Sequence, residues 1–160
     1  MTDGQHDLRD RLEIHDVLVR YATAIDTRRW DELDGVFTPD AVLDYRSAGG
    51  IRGSFGEVRA WLSEVLGFFR WTQHLVGNQA VDLDAAAGTA RARSMFHNPN
   101  GAEVGGENWL FVVGGFYHDR LRRTPEGWRI VHRVEETTWW EHPFPGLPAV
   151  PYPVPDDAFS

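Results

Sequence analysis

The stretch IHDVLVRYATAID, residues 14–26, places Ile14, Val17, Leu18, Tyr21 and Ile25 three and four positions apart. That spacing predicts a helix with one buried face, running from about Leu8 to Asp26 after a polar, frayed start over residues 1–7. Tyr21 lies on the buried face and Asp26 ends the helix. A carboxylate there meets the negative end of the helix dipole, at a cost of a few tenths to roughly 1 kcal/mol. An acid so placed calls for a cationic or hydrogen-bonding partner from elsewhere in the chain, and His74 is the candidate.

Working outward, a short second helix is expected over Trp30 to Phe37, stopped by Thr38-Pro39. A short strand follows at Ala41 to Tyr45, then the Gly-rich turn SAGGIRGS. A third helix spans Phe55 to Phe69 with Val58, Leu62, Val65, Leu66 and Phe69 in register. From Trp71 the period changes to two. Trp71–Leu83, Thr89–His97, Glu107–Leu121 and Trp128–Trp139 read as long strands. Their links, DAAAG, NPNGAEVGG and RTPEG, are short and turn-like, which makes the strands antiparallel neighbours. Helices first and strands afterwards predict an α+β fold, a curved sheet wrapped over the first helix. Residues 1–160 read as one domain, with a core over 8–140 and a Pro-rich arm over 141–160. The arm holds most of the nine prolines, which prevents helix and central strand. Its interspersed Phe144, Leu147, Val150, Tyr152 and Val154 leave two readings open, an extended arm laid on a surface or a disordered end.

Composition narrows the function classes. A chain of 160 residues with 42% hydrophobic residues can bury a substantial core. Its net charge of −8 argues against a nucleic-acid partner, which needs a basic face. Cys is absent, so thiol and disulfide chemistry are excluded. No signal peptide or membrane-length apolar run is visible, and a soluble, cytoplasmic protein is the expectation. His74, His97, His118 and His132 fall on four different strands without compact ligand spacing, so no metal is expected. The Gly pairs lack the context of a dinucleotide site, and there is no nucleophile elbow. Acid–base chemistry without a cofactor is what remains.

In TQHLVGNQAVD, Thr72, His74, Val76 and Asn78 share one face of a strand. A His held by a carboxylate is the usual general base near neutral pH, because the carboxylate fixes the tautomer and stabilises the imidazolium. Alternation on the last strand sets Arg133 with Arg129, Val131 and Glu135, opposite His132. Only one of His132 and Arg133 then faces a pocket, unless a bulge shifts the phase.

The segments RYATAID (20–26), WDELDGVFTPDAVLDY (30–45), TQHLVGN (72–78) and GGFYHDRLRRTPEGWRIVHR (114–133) carry a resemblance over residues 8–140. The chain resembles the SnoaL-like branch of the nuclear transport factor 2 superfamily, and within it bile acid 7α-dehydratase, scytalone dehydratase and hexachlorocyclohexane dehydrochlorinase. The resemblance implies a cone-shaped α+β barrel and, in its bacterial members, an Asp ending helix 1 paired with a His opening the first long strand. Asp26 and His74 match those places, and Tyr21 matches a Tyr five residues before the Asp in the bile acid enzyme. The dehydrochlorinase has Lys there, a departure that sets its particular chemistry apart. Arg133 matches a pocket Arg of the last strand. His97, Tyr45, Tyr117 and Trp109 complete the expected substrate contacts. The implied function is a cofactor-independent lyase, a dehydratase acting on a hydrophobic polycyclic or polyketide-like molecule, with Tyr21, Asp26 and His74 catalytic. An isomerase or aldol-type cyclase in the same pocket is the rival. A non-catalytic ligand-binding or oxygenase small-subunit-like module is the third reading. A homo-oligomer, dimer or trimer, is also implied.

Overall fold

In the computed structural model, residues 3–144 and 147–159 are described. Helix α1 (Asp3–Asp26) begins earlier than the apolar spacing announces, running through the polar residues expected to fray. Its apolar stripe, Ile14, Val17, Leu18, Tyr21, Ala24 and Ile25, is at most 2% exposed. The segment read as a second helix is a short 3-10 helix, Trp30–Gly35. Strand β1 (Phe37–Asp44) then starts before Thr38-Pro39. Pro39 is tolerated because the pairing of β1 is irregular between Phe37 and Val42, so no ladder bond is asked of it.

Strand β2 (Arg52–Ser54) leads into α2 (Phe55–Val65), whose N-terminus is closed by a Ser54–Glu57 capping box. A 3-10 turn at Leu66–Phe68 takes the place of the last turn expected for this helix. Four longer segments and one short one complete the sheet: β3 (Trp71–Thr72), β4 (Leu75–Asp84), β5 (Thr89–Val104), β6 (Glu107–Thr124) and β7 (Gly127–Glu141). The order is β2-β1-β7-β6-β5-β3, with β4 also on β5. All pairs are antiparallel except β1 with β7. The sheet curves around α1, and the core lies between them.

The expected turn NPNGAEVGG is instead mostly strand. β5 stays paired with β6 from Thr89 to Val104, and the reversal is confined to Gly105-Gly106, with φ of +61° and +86°. Two positive-φ residues between paired Val104 and Glu107 form the hairpin turn whose twist matches the strands. Asn98 and Asn100 point inward from this strand, and Gly101 lets the Trp71 ring lie against the backbone, where a Cβ would come within 2.2 Å of it.

Two bulges in β7 set which side chains face inward. Leu121 pairs with Ile130 but Arg120 with His132, so Val131 is an extra residue. Trp128 and Ile130 are buried before it; after it the inward positions become Arg133 and Glu135, and His132 turns to the outer side with Arg120. Gly114 pairs with Trp139 and Gly115 with Thr137, so Thr138 is a second extra residue, which brings Trp140 inward.

The C-terminal arm lies on its own chain. Trp140 Nε1 donates to Pro148 O at 3.1 Å, and Tyr152 N donates to Ser47 O at 3.1 Å. Asp157 pairs with Arg46 and Arg52. Pro145 and Gly146 of the arm lie outside the described residues. Among the described residues no helix is long and apolar enough to cross a membrane.

Candidate active site

The end of α1 and the link between β3 and β4 meet at Asp26 and His74. Asp26 Oδ1 lies 2.6 Å from His74 Nδ1, and Oδ2 accepts the His74 backbone N–H at 2.7 Å. The Thr72 hydroxyl donates to Oδ1 at 3.1 Å, and Arg28 donates to Thr72 Oγ1 at 3.1 Å. Burial raises the Asp26 carboxyl, but the hydrogen bonds and charge of His74, with Thr72, outweigh it and hold the acid below its ordinary value. These donors are the partner that an acid at a helix C-terminus calls for. With the carboxylate on Nδ1, that nitrogen carries a proton, and in the neutral ring Nε2 is the one with the lone pair.

His74 opens onto a cavity of about 110 Å³ inside the cone. Its polar lining is His74, Tyr21, Tyr45, Tyr117, Asn98, Asn100 and Glu135; Trp61, Phe69, Phe96, Phe111 and Trp140 supply much of the apolar wall. Tyr21 and Tyr45 share a hydroxyl–hydroxyl hydrogen bond of 2.9 Å, which leaves one of the two protons for a ligand. Burial pushes all three phenols well above their ordinary value, although Arg133 pulls each the other way, so they stand as neutral donors. Two larger hollows, of 1140 and 570 Å³, lie elsewhere and contain neither Asp26 nor His74. Among the described residues no group of three or more His, Asp or Glu side chains is placed to hold a metal.

Arg133 does not reach the cavity. Its side chain is fully buried below the tyrosines and gripped bidentately by Asp119, with both contacts at 2.7 Å. The guanidinium sits 4.1 Å from the Tyr21 ring centre and 4.2 Å from that of Tyr117. It therefore acts through those rings rather than on a ligand.

The sequence profile of the SnoaL-like domain matches residues 6–134. The chain belongs to the SnoaL-like family. An uncharacterized protein of Mycobacterium tuberculosis is 46% identical over 129 residues, covering 81% of this chain and 86% of that protein. A putative scytalone dehydratase from Novosphingobium aromaticivorans superposes with a TM-score of 0.78 at 19% identity, covering 94% and 97% of the two chains. A hexachlorocyclohexane dehydrochlorinase from Novosphingobium barchaimii gives 0.74 at 15% identity, covering 91% and 97%. At such identities the likeness is one of fold, and it confirms the α+β cone.

Within this SnoaL-like cone the expected residues divide. Tyr21, Tyr45, Tyr117 and His74 line the cavity, and Asp26 backs His74. His97 corrects an expectation: β5 does not end there, so His97 falls on the outward phase of a continuing strand, 5.7 Å from the Trp139 ring. Trp109 keeps the inward phase with Phe111 but lies beyond the cavity lining, stacked on Phe144 with its Nε1 donating to His142 O at 2.8 Å. Glu135, Asn98 and Asn100 were not anticipated. The two Asn residues were hidden by the turn reading of NPNG. Glu135 was on the Arg133 face by alternation, the one signal that pointed to it.

Proposed function

We propose that this SnoaL-like protein is a cofactor-independent lyase that removes water from a hydrophobic hydroxylated carbonyl compound. The observation that carries the reading is the 2.6 Å Asp26–His74 contact opening on a cavity with neutral tyrosine donors. His74 Nε2 takes the proton next to the carbonyl, while Asp26 holds the tautomer and offsets the charge that forms. The free proton of the Tyr21–Tyr45 pair donates to the enolate-like oxygen, and Arg133 beneath the Tyr21 ring favours negative charge there. A base of this kind contributes about 10²–10⁴-fold, and the tyrosines and positioning supply the rest.

Cavity size limits the substrate. About 150 Å³ holds benzene, so a cavity of 110 Å³ takes at most one small ring, and only as its wall gives. A polycyclic skeleton would enter only if the wall of Trp61, Leu66 and Phe69 moved. β-Hydroxycyclohexanone in deuterium oxide is therefore the first probe, with α-deuterium exchange followed by NMR and enone by absorbance. Wild type is expected to show both, and His74→Ala and Asp26→Asn to lose at least 100-fold. Rates equal to buffer, or unaffected by His74→Ala, would overturn the reading. Exchange without water loss would favour the isomerase or cyclase.

A further inference from the structure

Loss of hydroxide from carbon needs an acid, and His74 is occupied as the base. His97, expected among the substrate contacts, faces away from the cavity. The tyrosine pair is already used on the carbonyl oxygen, and burial pushes Tyr117 well above the ordinary phenol value, which makes it a poor acid. One carboxyl remains inside: Glu135, on β7 directly opposite Tyr117 in the β6–β7 ladder. We infer that Glu135 is held as a neutral carboxylic acid and protonates the departing hydroxyl of the substrate. The inference rests on the lyase reading above.

The fold fixes Glu135 in place. β1 leaves β7 after the Asp44–Val134 pair, and Ser47 substitutes for the missing neighbour. Its hydroxyl donates to Glu135 O at 2.6 Å and accepts the Thr137 N–H at 2.9 Å. The Thr137 hydroxyl donates to Glu135 Oε1 at 3.1 Å. The residue is 7% exposed. Burial pushes its carboxyl up to about 7, although the Thr137 hydrogen bond and the Arg133 charge both lower it. The titratable groups around the same space are Tyr21 from α1, Tyr45 after β1, His74 before β4, Tyr117 from β6 and Arg133 from β7. Asp119 neutralises Arg133, so that cation does not force Glu135 to ionise.

A second observation indicates what is bound. Asn100 is 2% exposed and lines the cavity, and its Nδ2 donates to Asn98 O, Asn98 Oδ1 and Phe111 O. Those three acceptors fix the amide orientation, leaving Oδ1 buried without a hydrogen-bond donor among the described residues. An acceptor in that state asks for a ligand hydroxyl. The substrate class is thus a compact hydroxyl-bearing carbonyl compound, with Asn100 Oδ1 accepting from a hydroxyl and Glu135 donating to the one that leaves. The step balances: His74 gains the α-proton, the C–O bond breaks, Glu135 gives its proton to form water, and His74 returns a proton to Glu135 through solvent.

The test has two arms. With ¹³C-carboxyl glutamate labelling and Glu135→Gln for assignment, Glu135 should read as protonated at pH 6 with no substrate present. An ionised Glu135 at that pH overturns the inference. In kinetics, Glu135→Gln should cut water loss from β-hydroxycyclohexanone about 100-fold or more. Chloride loss from the β-chloro analogue, which needs no proton, and α-deuterium exchange should stay within a few fold. Equal losses for both leaving groups, or none, also overturn it. Wild type that shows no His74-dependent exchange condemns the lyase reading itself, and the labelling arm still decides the state of Glu135.

Discussion

Asp26 shows how a residue unfavourable by local rules becomes a positioned one. Its carboxylate would be disfavoured by the helix dipole alone, yet His74 supplies two hydrogen bonds and Thr72 a third. Replacing it with Asn is expected to release the His74 tautomer, so that ¹⁵N spectra show Nε2–H where wild type shows Nδ1–H. An unchanged tautomer would remove Asp26 from the mechanism. Arg133 and Asp119 are the opposite case, a fully buried ion pair. Asp119→Ala leaves a buried cation uncompensated and is expected to cost roughly 3–5 kcal/mol in urea unfolding. Glu135 adds a pH signature. Its folded value of about 7 lies above the ordinary 4.5, so between those limits the unfolded chain ionises first and the folded state loses stability as pH rises. Above about 7 the loss is complete and flat. Glu135→Gln removes it, and its stability relative to wild type should be about 2–3 kcal/mol greater at pH 8 than at pH 5.

At the scale of elements, β7 decides the site because its two bulges choose which side chains face the cavity. Val131 is the extra residue, so deleting it would straighten the ladder while leaving Arg133 and Glu135 inward and His132 outward. The expected result is that near-UV circular dichroism still reports cooperative thermal unfolding. A deletion variant that loses that cooperativity would show that the residues after Ile130 had slipped to the other face. Such bulges explain the limits of the sequence reading. Helix α1 and the hairpins were legible because their periods are local properties of the chain. The extra residues at Val131 and Thr138 exist only in relation to β6, and no local pattern marks them. Asn98-Pro99-Asn100-Gly101 carries every local turn signal but is overridden by pairing with β6 and by the amide bonds of its two Asn side chains. The Asp26–His74 pair could be argued from helix polarity. Glu135 could not, since a lone Glu on a strand most often faces solvent.

For the whole molecule, the question is what covers the outer face of the sheet. Trp71, Leu75, Met95, Leu110 and Trp139 are each 40% or more exposed. They are joined through the ladder: Leu75 pairs with His97, His97 with Gly114, Gly114 with Trp139, and Gly101 with both Trp71 and Leu110. The arm does not cover them, since its described residues pack on Phe69, Phe111, Trp140 and the Arg46–Arg52 segment and reach His118 with Phe159. A joined apolar surface of this kind marks an interaction site, and the expected occupant is a second copy of the chain. Light scattering after size exclusion should give the mass of a dimer or trimer, and Leu110→Glu should give a folded monomer. A monomeric wild type at tens of micromolar, on the order of a weak contact's dissociation constant, would refute the assembly. His97 gives this reading a sharper consequence. It lies beside Trp139 on that face, so if a second copy covers the face His97→Glu should weaken association while leaving the His74 tautomer and α-deuterium exchange unchanged.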